Sequence, residues 1–284
     1  MLRWTARPRL RRPAMICAFE GWNDAGDASS YAARYLAERW DLRPFADLDP
    51  EDYFDFTTTR PRVHLDEGHQ REIVWPANEL AAGSIPGTDR DVIILTGTEP
   101  QLKWRTFCEQ ITEVATTFDV ELVITLGALL AEVPHSRPVS VIGTAVDQGL
   151  IDRLDLARSS YEGPTGIVGV LQDACARAGL PAASLWAAVP TYVPGAPSPK
   201  AALALVERTC GLLGVSVAAT DLEIATAAYE RQIDELVDED DETADYVANL
   251  EARFDDGEID EDLSDVSSLV EEVERFLRST GDNN

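Results

Sequence analysis

No apolar run in this 284-residue chain approaches the roughly 18 residues that a membrane-spanning helix requires. Five arginines crowd the start (Arg3, Arg7, Arg9, Arg11 and Arg12), yet no apolar secretory core follows them. Residues 1–13 are therefore expected to be a flexible arginine-rich start rather than a targeting signal. Cysteine is scarce. Cys17, Cys108, Cys175 and Cys210 are far apart, form no metal-type pair, and each lies on an apolar run or stripe where a free thiol acts as a small hydrophobe. These absences place the expected compartment in the cytoplasm. The loops of nucleotide chemistry are missing too. There is no Gly-Lys-Ser/Thr phosphate loop and no Gly-x-Gly-x-x-Gly fingerprint, and Gly166-x-x-Gly169 lies inside a helix pattern. No Gly-x-Ser-x-Gly elbow exists for a covalent nucleophile. ATP, NAD and covalent catalysis are disfavoured, and no cofactor or metal is expected.

Positive charge is also in short supply, with 24 Lys and Arg against 51 Asp and Glu for a net charge of −27. From Thr220 onward 23 acids meet four arginines, a balance of −19 that leaves −8 for the first 219 residues. So acidic a final quarter would be repelled by nucleic acid and by anionic membranes, and neither is an expected partner. The N-terminal arginines offer that tail a contact, within this chain or with a neighbour.

What is present is organised around Met15 to Ser30. Met15–Phe19 is a short apolar run stopped by Gly21 and reads as a strand buried on both faces. Glu20–Gly26 is dense in Gly, Asn and Asp, the residues of tight turns. A helix pattern follows over 27–40, with Asp24 or Asp27 as its cap. Further along, Asp91–Leu95, Glu121–Leu126, Val139–Val146 and Leu185–Val189 read as strands. Helices separate them: one buries Trp104, Phe107, Cys108, Ile111, Ala115 and Phe118 behind a Thr98/Gln101 capping box. Another runs from Ile167 to a stop at Gly179, and a third from Pro199, capped by Ser198, to Leu213. Thr57–Val63 and Arg71–Trp75 suggest an antiparallel hairpin turning at Leu65–Gly68, which would make the sheet mixed. The alternation implies a three-layer α/β domain over 14–215 with a mostly parallel, mixed sheet. The segment 216–284 forms an acidic helical extension. Its seams are Leu222/Tyr229/Leu236, Val247/Leu250/Phe254 and Leu263/Val266/Val270/Val273/Leu277, three helices broken by acid at 238–242 and 255–262.

Four of these pieces resemble the bacterial branch of the proteasome assembly chaperone family: Phe19-Glu-Gly-Trp-Asn-Asp-Ala-Gly26, Leu126-Gly-Ala-Leu-Leu-Ala-Glu-Val-Pro-His135, Tyr161-Glu-Gly-Pro-Thr-Gly166, and Val189-Pro with Ser198-Pro-Lys200. The resemblance implies an α/β fold similar to purine nucleoside phosphorylases, with a helical extension. It also implies self-association (a homo-oligomer, with a trimer as one form) and proteasome-related protein partners.

In a parallel sheet, ligands gather at the carboxyl ends of the strands. The candidate pocket there comprises Gly21, Asn23 and Asp24 after the first strand, Thr98 and Glu99 after the second, His135 and Arg137 after the third, and Glu162 and Gly163 in the second Gly-rich turn. His135 suits proton transfer and Arg137 suits a carboxylate or phosphate. The same residues are also what turns, caps and interfaces require, and no complete catalytic set emerges. The expected function is therefore a non-catalytic, oligomeric, assembly-chaperone-like interaction protein. The alternatives are a nucleoside-like ligand binder, hydrolase or phosphorylase using that pocket, and a tail that captures partners while the α/β body serves as its platform.

Overall fold

The computed structural model describes residues 1–65, 71–159, 161–193 and 195–259. Its centre is an eight-stranded sheet. In chain order the strands are β1 (Leu2–Trp4), β2 (Ala14–Glu20), β3 (Arg43–Leu48), β6 (Asn78–Ser84), β7 (Asp91–Thr98), β8 (Leu122–Ala131), β9 (Val141–Ala145) and β10 (Ala182–Pro190), while β4 (Arg62–Leu65) and β5 (Arg71–Val74) form a separate ribbon. The spatial order is β1-β3-β6-β7-β2-β8-β10-β9. The four inner strands β7, β2, β8 and β10 run parallel, and the outer strands on both sides are antiparallel.

Alternation along β2 explains the layers. Ile16 and Ala18 point into one core, and Met15, Cys17 and Phe19 into the other. The first core is closed by α1 (Ala28–Arg39) and α5 (Pro199–Leu213), the second by α2 (Trp104–Thr117) and α4 (Ile167–Arg177). Phe107 stacks edge-on against Phe19 and Tyr53 at 5.8 and 5.1 Å. The four cysteines are free and buried, and burial pushes the Cys108 and Cys175 thiols up to about 12. This is the chemistry of core packing rather than of reactive sulfur.

Several local expectations are corrected. Residues 1–13, read as a flexible start, supply β1, whose Arg3 bonds Asp47 (Nε–Oδ1 2.6 Å). Arg12 pairs with Glu121 and Asp89, so these two arginines meet the body and not the tail. The 62–74 hairpin does not join the main sheet; β3, β6 and β9 make that sheet mixed, and the hairpin's turn at 66–70 lies outside the described residues. β8 runs past Gly127 to Ala131 because β10 pairs with it throughout. Gly127 instead makes room for the Trp186 ring, which a Cβ would meet at 2.6 Å. A helix with no sequence counterpart above, α3 (Gln148–Leu154), starts where Asp147 accepts from Leu150 N–H at 2.8 Å. The Thr98/Gln101 capping box does not form: α2 begins after Lys103, and Gln101 Oε1 accepts from Asp55 N–H at 3.0 Å.

The extension begins with α6 (Thr220–Asp238) and α7 (Asp241–Asp255). Its third apolar seam, 263–277, lies outside the described residues. Leu222, Tyr229, Ile233 and Val237 are buried along α6, whereas Leu236 is 60% exposed. A straight helix drifts relative to a strict seven-residue repeat, so the contact stripe moves off Leu236. Both helices lie on the body of their own chain. Tyr35 Oη on α1 donates to Asp221 Oδ1 at 2.7 Å, Arg39 binds the same carboxylate, and Lys200 on α5 pairs with Glu230. No helix among the described residues is long and apolar enough to cross a membrane.

Candidate functional site at the strand-end rim

β2 sits between β7 and β8, so the turns after these strands share one edge of the sheet. The turn after β2 opens at Gly21, whose φ of 126° is open to glycine. It then buries Asn23 and Asp24. Asn23 O accepts from Ala128 N–H on β8 at 2.8 Å, while Glu99 N–H donates to Glu20 O at 2.8 Å and ties in the turn after β7. Asp24 caps α1. Its Oδ1 accepts from Ser29 N–H (2.7 Å), Ser29 Oγ (2.6 Å) and Ser30 N–H (3.1 Å). Asp27 lies in the left-handed region and makes no cap bond. Burial raises the Asp24 carboxyl above its ordinary value, opposed by the serine hydrogen bonds.

Glu99 is the junction. Its Oε1 accepts from Asn23 Nδ2 and from Ile167 N–H, both at 2.8 Å. Ile167 is the first residue of α4, so Glu99 places negative charge at the positive end of that helix. The expectation that Glu99 serves a cap is met by a different helix from the one its own loop precedes. Gly166 closes the contact, because a Cβ there would stand 2.3 Å from Asn23 Nδ2. Asn23 Oδ1 and Asp24 Oδ2 are buried without a partner among the described residues. Gly166→Ala should therefore part the rim and cost about 1–3 kcal/mol, as overpacking does; equilibrium unfolding that leaves its midpoint in place would refute the close fit.

The remaining candidates make other contacts. Thr98 O accepts from Asn78 Nδ2 at 3.1 Å, a rim partner that no pattern in the sequence announces. Glu162 and Gly163 are exposed, and Tyr161 Oη donates to Pro164 O within their turn. His135 and Arg137 do not join Asn23 and Glu99; the extension takes both. His135 is 3% exposed. Its backbone N–H and its Nδ1 each lie 2.7 Å from Tyr192 Oη, and its Nε2 lies 2.9 Å from Asp234 Oδ1 on α6. The Tyr192 phenol accepts from the backbone N–H and faces Nδ1, and the Asp234 carboxylate faces Nε2. Arg137 forks onto Asp255 of α7 (Nε–Oδ1 and Nη2–Oδ2, both 2.9 Å) and reaches Glu251 at 3.3 Å. Beside His135 lies a cavity of about 10 Å³, lined by residues including Val133, Ser198, Lys200 and Tyr229. That is the space of a single water, far below the roughly 300 Å³ of a small-molecule pocket. No cluster of metal-binding side chains occurs among the described residues.

The carboxylates of the extension respond to acid. Hydrogen bonds from Tyr35 and Arg39 hold Asp221 below its ordinary value, and Arg137 does the same for Asp255. A depressed folded-state pKa gives stabilisation that is present above the unfolded value near 4 and is lost as pH falls through the folded value. The protection factor of α7, its amide exchange compared with the intrinsic rate at each pH, should therefore fall between pH 5 and about 3 while those of β2 and β8 hold. Equal protection of α7 across that range would count against these pairs.

The geometry defines a class: a mixed-sheet α/β protein whose strand-end turns close on one another and whose acidic helices lie against its own body. The chain belongs to the PAC2 family, whose profile matches residues 18–237. A PAC2 family protein from Streptomyces avermitilis is 48% identical, with a TM-score of 0.78 over 83% of this chain and 99% of that one. The Mycobacterium tuberculosis proteasome-assembly chaperone homologue Rv2125 is 45% identical, with a TM-score of 0.76 over 82% of this chain and 99% of that one. The Pyrococcus furiosus archaeal proteasome activator PbaB shares the fold at 20% identity, with a TM-score of 0.68 over 83% of this chain and 98% of that one. Among curated proteins, none matches the sequence. The match takes in α6, so the family profile includes the first helix of the extension.

Proposed function

We propose that this protein is a non-catalytic, self-associating assembly factor of the cytoplasm that binds proteasome-related proteins, as the names of its relatives suggest. The observation that carries this reading is the consumption of the candidate site by the protein's own contacts. Glu99 Oε1 is taken up by Asn23 Nδ2 and by the α4 N-terminus, and His135 and Arg137 hold the extension. A phosphorolytic site needs free cationic groups for phosphate. Arg137, the best placed by sequence, is already forked onto a carboxylate.

Two measurements test the reading. Added to unassembled proteasome α-subunits, the protein should accelerate ring formation on native gels; an unchanged rate with no co-migration would refute the partner class. A nucleoside library should leave its melting temperature in place, because a true ligand at a hundred times its Kd adds about 2.7 kcal/mol. A shift of that size would revive the nucleoside-binding alternative.

A further inference from the structure

The two helices of the extension are held by different means. α6 is seated by burial: Leu222 joins the core shared with α1 and α5, and Tyr229, Ile233 and Val237 are buried after it. α7 buries two of its fifteen residues, Val247 and Leu250. Val247 packs in the cluster of Tyr229, Ile233 and Val237 on α6. At the far end Phe254 is half-buried, and Ile259, just past α7, is buried with Ala131, Val133 and Ala188 at the carboxyl ends of β8 and β10. Between these two apolar anchors the hold on the body is polar and lies at the surface. Arg137 forks onto Asp255 and reaches Glu251, Ser136 Oγ donates to Glu251, and Arg253 pairs with Glu132 at 3.4 Å. The Arg137 and Asp255 side chains are 30% and 56% exposed. Sparse apolar burial and water-accessible bonds are the marks of a segment that opens locally.

Charge works against the closed position of α7. α6 carries six carboxylates against Arg231, and α7 carries five against Arg253, so two helices of like sign are packed together. The body relieves α6 at several points, through Arg39 on Asp221, Lys200 on Glu230 and His135 on Asp234. For α7, Arg137 bears that duty, and one guanidinium meets two of its carboxylates. The connection between the helices is five consecutive acids, 238–242. Asp238 and Glu239 stand at the end of α6, where the unpaired carbonyls already present negative charge, and no basic residue occupies that last turn. The family profile ends at residue 237, so the surface that α7 covers lies within the shared domain and α7 lies beyond it.

We propose that α7 is a strap latched by Arg137, which swings off about the acidic turn at 238–242 while α6 stays seated. Opening uncovers two apolar clusters at once: Tyr229, Ile233 and Val237 on α6, and Ala131, Val133 and Ala188 at the strand ends. The closed strap keeps both from water, and the open strap presents them on a body that is otherwise unchanged. The device stands apart from the partner class proposed above and holds whether or not proteasome-related proteins bind.

Hydrogen exchange at pH 7 on the full chain tests this in three forms: wild type, Arg137→Gln and Arg137→Lys. In the wild type, protection of α7 should be at least tenfold below that of α6. Arg137→Gln should lower α7 at least fivefold further and leave α6 and β8 unchanged. Arg137→Lys, which keeps the charge without the fork, should fall between them. Fluorescence of a hydrophobic dye such as bis-ANS should rise in the same order, because the uncovered clusters are apolar. Unchanged protection of β8 confirms that a variant is folded; if Arg137→Gln fails that check, Asp255→Asn removes the fork from the exposed side and takes its place. Equal loss of protection in α6 and α7 would mean that the extension moves as one body, and the strap is refuted. Protection of α7 equal to that of β8 in all three forms would make it a fixed helix and also refutes it. If α7 loosens and the dye signal stays flat, the clusters remain covered and the proposed uncovering is wrong.

Discussion

Glu99→Ala is expected to lower the unfolding free energy by about 3 kcal/mol, because one carboxylate oxygen serves two donors from distant parts of the chain. Hydrogen bonds to a charged acceptor contribute about 1.5–3 kcal/mol each, and the half-exposed setting of Glu99 argues for the lower figure. Alanine leaves the Asn23 amide buried without its acceptor and strips the anion from the start of α4. Glu99→Gln retains an acceptor oxygen but not the charge, so it should cost about half as much, roughly 1.5 kcal/mol. Urea denaturation reads both as a shift in midpoint with unchanged slope. If both variants keep the wild-type midpoint, the rim is closed by something other than this carboxylate. The result also bears on function. A rim held shut by structural bonds opens in Glu99→Ala without gaining nucleoside affinity, whereas a ligand site would lose an affinity that the wild type displays.

The central strands were legible because a strand buried on both faces must be continuously apolar, and Met15–Phe19, Asp91–Leu95 and Leu185–Val189 satisfy that condition within three residues of the observed bounds. The outer strands were not. β6 reads Asn-Glu-Leu-Ala-Ala-Gly-Ser, low in β-branched residues, and is a strand because β7 and β3 flank it. β3 contains Pro44 beside a register shift, which masks its period. The α5 cap was readable from Ser198-Pro199, and Ser198 Oγ accepts from Ala201 N–H at 3.2 Å. The rim was legible in part. Turn chemistry located Asn23, Asp24 and Glu99 on neighbouring strand ends, but only tertiary packing decides that Glu99 caps α4. His135 and Arg137 look alike in sequence whether they face a ligand or an acidic helix. The excess of carboxylates after Thr220 was the one signal that could have assigned them to the extension. Asp234, Glu251 and Asp255 supply the partners.

Asp24→Ala should be the most damaging single change at the rim, costing about 3–4 kcal/mol. Asp24 is 6% exposed, and its Oδ1 accepts three hydrogen bonds within the first turn of α1. Loss of a capping side chain alone costs up to about 2 kcal/mol. Here the cap is buried, so the Ser29 and Ser30 donors cannot turn to water and each adds a desolvation penalty of about 1 kcal/mol. The damage should spread along α1, since its Tyr35 and Arg39 anchor α6 through Asp221. Hydrogen exchange offers the decisive reading. In Asp24→Ala, protection should fall first in α1 and then in α6, while α2 and α4 on the opposite face keep theirs up to the global limit. Should all four helices lose protection together, α1 is not an independently opening unit and the cap stabilises the whole sheet at once. Should none change, Ser29 and Ser30 find other acceptors, and the turn after β2 is free of the structural duty assigned to it.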